Sequence, residues 1–467
     1  MAMFTACSSE EDVAETPTKT MTQEEYNAIL AEANMDSEVQ IRLGMGSPSN
    51  SVTRAPLESD ANGLFETPEN QYLGIYCLAQ TPQVTPSTAG PKEASAINWT
   101  TDGDLSHLML LNQAAKVVKV TGGEDVKIGN VPLASGTVSE VQFVDGNSTK
   151  IYYYPYGNWY NYYFYGYYPR QTTNLSETSN RIAVTYTING TQDIIWGKAA
   201  PSGADATKGY NAKYMRDKQK THVDGLNTIE ELPALAMDHK LTQLRFWVKT
   251  SSGTYATSGY GEADGKKTFQ ITDLKLTKVP TEWTLVVADR NNTANDEGTL
   301  TNGTTPADLK VKFMDVYPKD HASEYEANPA TASDADKFNG STSVNIPYIA
   351  STDNTTKPRL LGYLMIPTTE MMETVTIPDR TDKTVPYMDF TISYGGIVGG
   401  SSSSAQTWNF TDQKIELPTD GFENGKVYNV ILNIPTPEEI AMLATLDDWD
   451  WVSVTAGGAQ NIDVEVE

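Results

Sequence analysis

The sequence predicts a mostly β protein, and three observations carry that prediction. Val, Ile, Thr and Tyr are plentiful, with 25 tyrosines among 467 residues, and these side chains suit a pleated, half-buried surface. Gly, Pro, Asn and Asp clusters cut the chain from Leu64 onward into short runs, the punctuation of strands separated by turns. No heptad pattern and no repeat of fixed period competes with that reading. The length exceeds one ordinary domain, so about two to three are expected.

The two ends of the chain share one pattern. Glu38-Val39-Gln40-Ile41-Arg42-Leu43 alternates polar and apolar residues, and so does Asn461-Ile462-Asp463-Val464-Glu465-Val466-Glu467. Each is the period of a half-buried strand with three apolar side chains on one face: Val39, Ile41 and Leu43 in the first, Ile462, Val464 and Val466 in the second. They look like alternative occupants of one groove, as in a chain built to polymerise by strand exchange. Between the first strand and the body lies Val52-Thr53-Arg54-Ala55-Pro56, a lone Arg in a Ser/Pro/Asn-rich loop. The Arg54–Ala55 bond is a candidate trypsin-like cleavage site, because proteases need an extended, accessible segment. The alternative is that Arg54 is an ordinary surface arginine. At the C-terminal end Asp447-Asp448-Trp449-Asp450-Trp451 offers a second pairing segment, with Trp449 and Trp451 as its anchors; the alternative there is a frayed acidic tail.

Sixty acidic residues against 34 basic ones set the formal charge at −26. With no basic stripe, nucleic acid and anionic membrane surfaces are not expected partners. Of the two cysteines, Cys77 lies in the apolar run Leu73-Gly74-Ile75-Tyr76-Cys77-Leu78 and reads as a small core residue. Cys7 differs. Phe4-Thr5-Ala6-Cys7 resembles the end of a bacterial lipoprotein signal, where small residues precede the acylated Cys, and Ser8-Ser9-Glu10-Glu11-Asp12 resembles the acidic tract of surface-exposed lipoproteins of Bacteroides-like bacteria. No charged n-region or full apolar h-region precedes it. The alternative is a free thiol on a polar tail. No run of about 18 apolar residues suggests a transmembrane helix, so contact with a membrane is expected only through lipid on Cys7 before processing.

Two short helical segments are expected. Thr22-Gln23-Glu24-Glu25 has the capping-box pattern and starts a helix through about Ala33. The run from His107 to Lys116, with Leu108-Met109-Leu110-Leu111 and Ala114-Ala115, suggests a helical turn or two. The most unusual composition is Tyr152-Tyr153-Tyr154-Pro155-Tyr156-Gly157-Asn158-Trp159-Tyr160, continuing to Pro169. Gly157-Asn158 between aromatic runs signals a two-residue hairpin. Tyr153, Tyr156 and Trp159 form a candidate contact surface, able to stack on sugar rings or on a neighbouring subunit. The competing reading has half of these rings filling a sandwich core while the rest line a solvent face, as period-2 strands do.

No catalytic or metal-binding motif stands out. The four histidines, His107, His222, His239 and His321, have no zinc spacing. His239, between Asp238 and Lys240, reads as a satisfied structural side chain. Asp289-Arg290-Asn291-Asn292-Thr293 begins like a calcium loop, but Ala294 stands where the turn glycine belongs. No nucleophile elbow, P-loop or dinucleotide fingerprint is present. No catalytic residue, metal or cofactor is expected.

Five motifs, in order, resemble the fimbrillin-like proteins, the type V pilins of Bacteroidales. They are Tyr163-Phe164-Tyr165-Gly166-Tyr167-Tyr168-Pro169, Asp193-Ile194-Ile195-Trp196-Gly197-Lys198, the run from Leu235 through His239 to Phe246, Leu360-Leu361-Gly362-Tyr363-Leu364-Met365-Ile366-Pro367, and Gly425-Lys426-Val427-Tyr428-Asn429-Val430-Ile431-Leu432. The resemblance covers about residues 64–434. It implies an all-β chain of two tandem transthyretin-like β-sandwich domains, with a removable N-terminal prosegment and a C-terminal strand extension. The divisions it implies are 1–54 for leader and prosegment, 55–280 and 281–434 for the two sandwiches, and 435–467 for the donor-strand appendage. It further implies export as a lipoprotein to the outer membrane, removal of the first strand by an Arg-specific protease, and filling of the open groove by a neighbour's appendage. Partners would be other copies of the chain or related fimbrial subunits, in a fimbria supporting adhesion and biofilm formation. The runner-up is a surface glycan-binding lipoprotein that uses the tyrosine hairpin as its platform.

Overall fold

The computed structural model of the chain describes residues 39–46, 71–83, 91–101, 110–121, 127–128, 131–132, 137–155, 160–201, 209–215, 233–250, 268–314, 338–346 and 359–434, with 67, 86, 454–455 and 460–464, a few positions inside these ranges excepted. In chain order its strands are β1 (Leu43–Gly46), β2 (Leu73–Pro82), β3 (Leu110–Thr121), β4 (Lys127–Ile128), β5 (Val131–Pro132), β6 (Thr137–Asp145), β7 (Ser148–Thr149), β8 (Tyr160–Tyr168), β9 (Leu175–Glu177), β10 (Arg181–Thr187), β11 (Ile195–Ala199) and β12 (Ala234–His239). They continue as β13 (Thr242–Thr250), β14 (Thr268–Asp289), β15 (Leu300–Lys310), β16 (Lys312–Met314), β17 (Phe338–Ser341), β18 (Ser343–Ile346), β19 (Arg359–Ile366), β20 (Tyr387–Val398), β21 (Ser401–Lys414), β22 (Val427–Ile434), β23 (Val454–Thr455) and β24 (Gln460–Val464). A five-residue helix, α1 (Thr369–Glu373), is capped by Thr368, whose hydroxyl accepts from the Met371 amide. The protein is all-β.

The first sheet runs β12-β11-β8-β2-β3-β6, with β7 continuing on β6. β1 pairs with both of its outer members, parallel to β12 and antiparallel to β6, and so closes the sheet into a ring. β2 and β8 are almost continuously buried, which is why Leu73–Ala79 reads as an unbroken apolar run rather than an alternating one. Cys77 sits fully buried in β2, and burial pushes its thiol up.

A second sheet, β21-β20-β14-β10-β9 with β15 and β18 also on β14, lies against this layer. The Trp196 indole donates to the Val287 carbonyl across the gap (2.8 Å), Tyr186 to the Pro169 carbonyl (2.9 Å) and Tyr76 to Glu177 (2.8 Å). Buried aromatic rings with a polar tip need such partners. Trp99 and Trp283, the largest fully buried side chains among the described residues, follow the same rule by donating to the Ala79 and Pro280 carbonyls. A third sheet runs β17-β16-β19-β13-β22-β24-β23.

Long-range pairing decides several features that local pattern alone does not. Residues 110–121 form β3, not helical turns, because β2 and β6 hydrogen-bond this segment on both sides; pairing of that kind overrides local helix propensity. The motif from Leu235 to Phe246 divides at Lys240–Leu241 into β12 of the first sheet and β13 of the third. The division expected at 280/281 falls inside β14, whose residues 268–277 pair with β20 while 282–289 pair with β10. β13, on the N-terminal side of that division, pairs with β19 and β22. The helix expected at 22–33 lies outside the described residues.

Candidate functional site

The site that the sequence points to is the seat of the N-terminal segment. Val39, Ile41, Leu43 and Met45 alternate along the backbone, and all four side chains are buried in the main core. The alternation therefore runs one step beyond the expected 38–43 strand, and regular pairing begins only at Leu43. Upstream of it, residues 39–41 are stitched to the tyrosine tract. The Ile41 amide donates to the Tyr152 carbonyl and the Tyr154 amide to the Val39 carbonyl, both at 2.8 Å, with Gln40 opposite Tyr153. Downstream, the Gly44 amide donates to the Pro233 carbonyl at 2.9 Å. In register, Gly44, Met45 and Gly46 lie beside Ala234, Leu235 and Ala236, while Leu43 and Gly44 face Val141 and Glu140.

Each fully buried apolar side chain of this kind is worth roughly 1.5–3 kcal/mol. Ordering the backbone costs about 1–2 kcal/mol per residue. Those terms are of the same order over residues 39–46, so the covalent tether contributes to keeping the segment seated. One residue works against seating. Arg42 is only 4% exposed, yet its Nε and Nη1 have no hydrogen-bond partner. Burial lowers its pKa to about 10, with Glu140 opposing. The same burial raises the Glu140 carboxyl, with Gln142 and Arg42 opposing. An incompletely solvated buried charge is costly.

The tyrosine tract is not the expected hairpin. Among the described residues, 152–154 pair with the N-terminal segment, whereas β8 pairs with β2 and β11. Tyr153 is 37% exposed, Tyr154 is core, and β8 buries Tyr160, Tyr162, Tyr165, Tyr167 and Tyr168. Along 162–168 the rings are thus buried on both faces of the strand, more fully than a half-buried strand would be. The Tyr154 ring meets Phe164 edge-on at 6.2 Å, and its buried hydroxyl has no partner. Tyr156 and Trp159 lie outside the described residues, as do Cys7, Arg54, Ala55, Trp449, Trp451 and Val466. Ile462 and Val464 fall in β24, which runs parallel to β22 with Val430 and Leu432 as their register partners. β23 pairs antiparallel to β24 on its other side.

His239 and Asp193 form a buried pair, Nδ1 to Oδ2 at 2.5 Å, 5% and 0% exposed. The other Asp193 oxygen accepts from the Ile194 amide. The buried contact ties His239 at the end of β12 to Asp193 just ahead of β11. The calcium-like run at Asp289 is a tied turn. One Asp289 oxygen accepts from the amides of Asn291 and Asn292, and the other is held by Arg181, which also grips Asp296. Among the described residues no group of three or more His, Cys, Asp or Glu side chains is placed to hold a metal ion, and no helix is long and apolar enough to cross a membrane.

Tyr154, from the tract already noted, completes the seat with Arg42, Glu140 and Met45, which were not singled out from the sequence. Only Met45 had a signal, as the next term of the two-residue alternation.

No family model matches the chain, and no curated protein matches it. Solved structures do resemble it. A candidate cell adhesion protein of Bacteroides uniformis is 13% identical with a TM-score of 0.36. A fimbrial protein of Bacteroides vulgatus is 12% identical with a TM-score of 0.41, and a candidate cell adhesion protein of Bacteroides eggerthii is 10% identical with a TM-score of 0.32. Each likeness covers 92% of this chain and 98% of the other. These are fimbrial and adhesion proteins, the kind the sequence motifs resemble; at such identities and scores the likeness transfers neither a residue nor a function.

Proposed function

We propose that this chain is a structural subunit of a cell-surface fimbria, assembled by protease-triggered strand exchange and supporting adhesion and biofilm formation, and that it is not an enzyme. The observation that carries the reading is the position of β1. It is the earliest described strand, it closes a ring between β12 and β6, and Arg54 is the one basic residue between it and β2. A terminal strand in that place can leave without unthreading the rest of the fold. Its departure would open sheet edges on β12 and β6 and expose an apolar trough, a surface that favours addition of another strand.

In this reading Cys7 carries the lipid during export, an Arg-specific protease cuts Arg54–Ala55, and residues 1–54 depart. The two sandwich domains remain, with residues 435–467 as the appendage offered to a neighbour. While tethered, the N-terminal strand has a high effective concentration and wins; once cut, it competes as a separate peptide. The experiment is the N-terminal sequence of the assembled protein on cells, with Arg54→Ala alongside. Assembled protein should begin at Ala55, and the variant should stay monomeric. Assembly of Arg54→Ala into normal fimbriae would overturn the reading.

A further inference from the structure

Resting on the strand-exchange reading, a second property of the same seat follows from its polar face. Alternation puts Val39, Ile41, Leu43 and Met45 inward, so Arg42 and Gly44 lie on the opposite face of the segment. Glu140 is the register partner of Gly44 on β6, which places its carboxylate on Arg42's face, one residue pair along. The neighbouring stretch of β3 carries two lysines, Lys116, held over the Tyr72 ring, and Lys119, in register with Ser139 rather than with Glu140. Arg42 is the cation whose charge acts on the Glu140 carboxyl, and it belongs to the strand that departs.

The chain's own C-terminal strand cannot replace it. Any register that turns Ile462, Val464 and Val466 inward turns Asp463 and Glu465 outward, because the two sets alternate. This holds whichever way the strand runs. Self-insertion would set a carboxylate against Glu140 on a face where Arg42 is almost fully buried, and juxtaposed like charges at an interface act as a rejection device.

We propose that Glu140 selects the incoming strand: this groove takes the terminal strand of a different subunit, one with a Lys or Arg on the face opposite its apolar stripe, in preference to the C-terminal strand of a second copy. The chain's own acidic strand is then suited to a neighbour whose groove lacks such a carboxylate, which gives the assembly a fixed subunit order.

The test uses the full chain nicked under native conditions after Arg54, or at a protease site inserted in the same loop, with residues 39–46 still seated. Peptides compete for the seat at about 0.15 M salt, where charges beyond about 8 Å are screened. The peptides are 38–46, 459–467, and 459–467 with Asp463→Lys and Glu465→Lys. The Lys-substituted peptide should displace the seated segment at a concentration about tenfold or more below that needed by the native 459–467. Glu140→Gln should level the two peptides, and Glu140→Lys should reverse their order. Equal competition by both, or a preference that survives Glu140→Gln, overturns the proposal while leaving strand exchange standing. Failure of peptide 38–46 to compete at all would overturn strand exchange as well.

Discussion

The Tyr154 amide donates to the Val39 carbonyl at 2.8 Å, and that bond joins the segment ahead of Arg54 to the tyrosine tract. Two features that stand more than a hundred residues apart in the chain are parts of one seat. The Tyr152–Tyr154 backbone receives the first half of the N-terminal segment, and β12 and β6 receive the second. Loss of the segment would leave Tyr154 facing an empty trough.

Within the tract, neighbouring tyrosines should therefore respond in opposite ways. Tyr153→Ser should change stability by no more than about 0.5 kcal/mol, as exposed positions do. Tyr154→Ala should cost on the order of 3–5 kcal/mol, the range for truncating a large buried aromatic. Urea unfolding of the uncleaved chain measures both.

The seated apolar side chains should matter only before cleavage. Leu43→Ala in the intact chain should cost roughly 2–5 kcal/mol. The same substitution should leave the stability of assembled, processed protein unchanged, because residue 43 has gone. An equal loss in both forms would show that the segment stays in place.

The Asp193–His239 pair should be structural. Removing the imidazole leaves a buried Asp193 oxygen without this hydrogen bond, at a cost of about 1–3 kcal/mol. His239→Ala should thus be among the more damaging single changes to the first sheet, and Asp193→Asn less so. Chemical unfolding of the two variants reads the difference.

Glu140 should make stability depend on pH. Burial raises its carboxyl above the ordinary value of 4.5, so between these two values the folded chain binds the proton more tightly than the unfolded chain does. Its contribution is fully present below 4.5 and is lost as pH rises through the raised value. Glu140→Gln should therefore become more favourable, relative to the unsubstituted chain, on going from pH 4 to pH 7. The comparison is made by urea unfolding at both pH values on the uncleaved protein.

The alternation at residues 38–43 is legible because a strand's period is a local property, and β1 extends it to Met45. The buried Cys77 run, the tied turn at Asp289 and the structural His239 are legible for similar reasons: each follows from nearby residues. What eludes the sequence is pairing at a distance. Leu110-Leu111 and Ala114-Ala115 read as helical until β2 and β6 flank them. β14 crosses an expected division because its two halves find partners in different parts of the chain. The partnership of residues 39–41 with 152–154, and of Arg42 with Glu140, has no local signature at all.

On the strand-exchange reading, β1 must leave its ring for the protein to assemble. Gly44 and Glu140 face each other directly, and the Gly44 amide is turned toward Pro233 on the other side, so a cysteine pair at 44 and 140 sits in the close, non-hydrogen-bonded arrangement that accepts a disulfide. Native processing of the Gly44→Cys, Glu140→Cys protein should give monomers under oxidising conditions and polymers after reduction, with the single-cysteine variants assembling in both. Polymers formed with the disulfide intact would contradict the account.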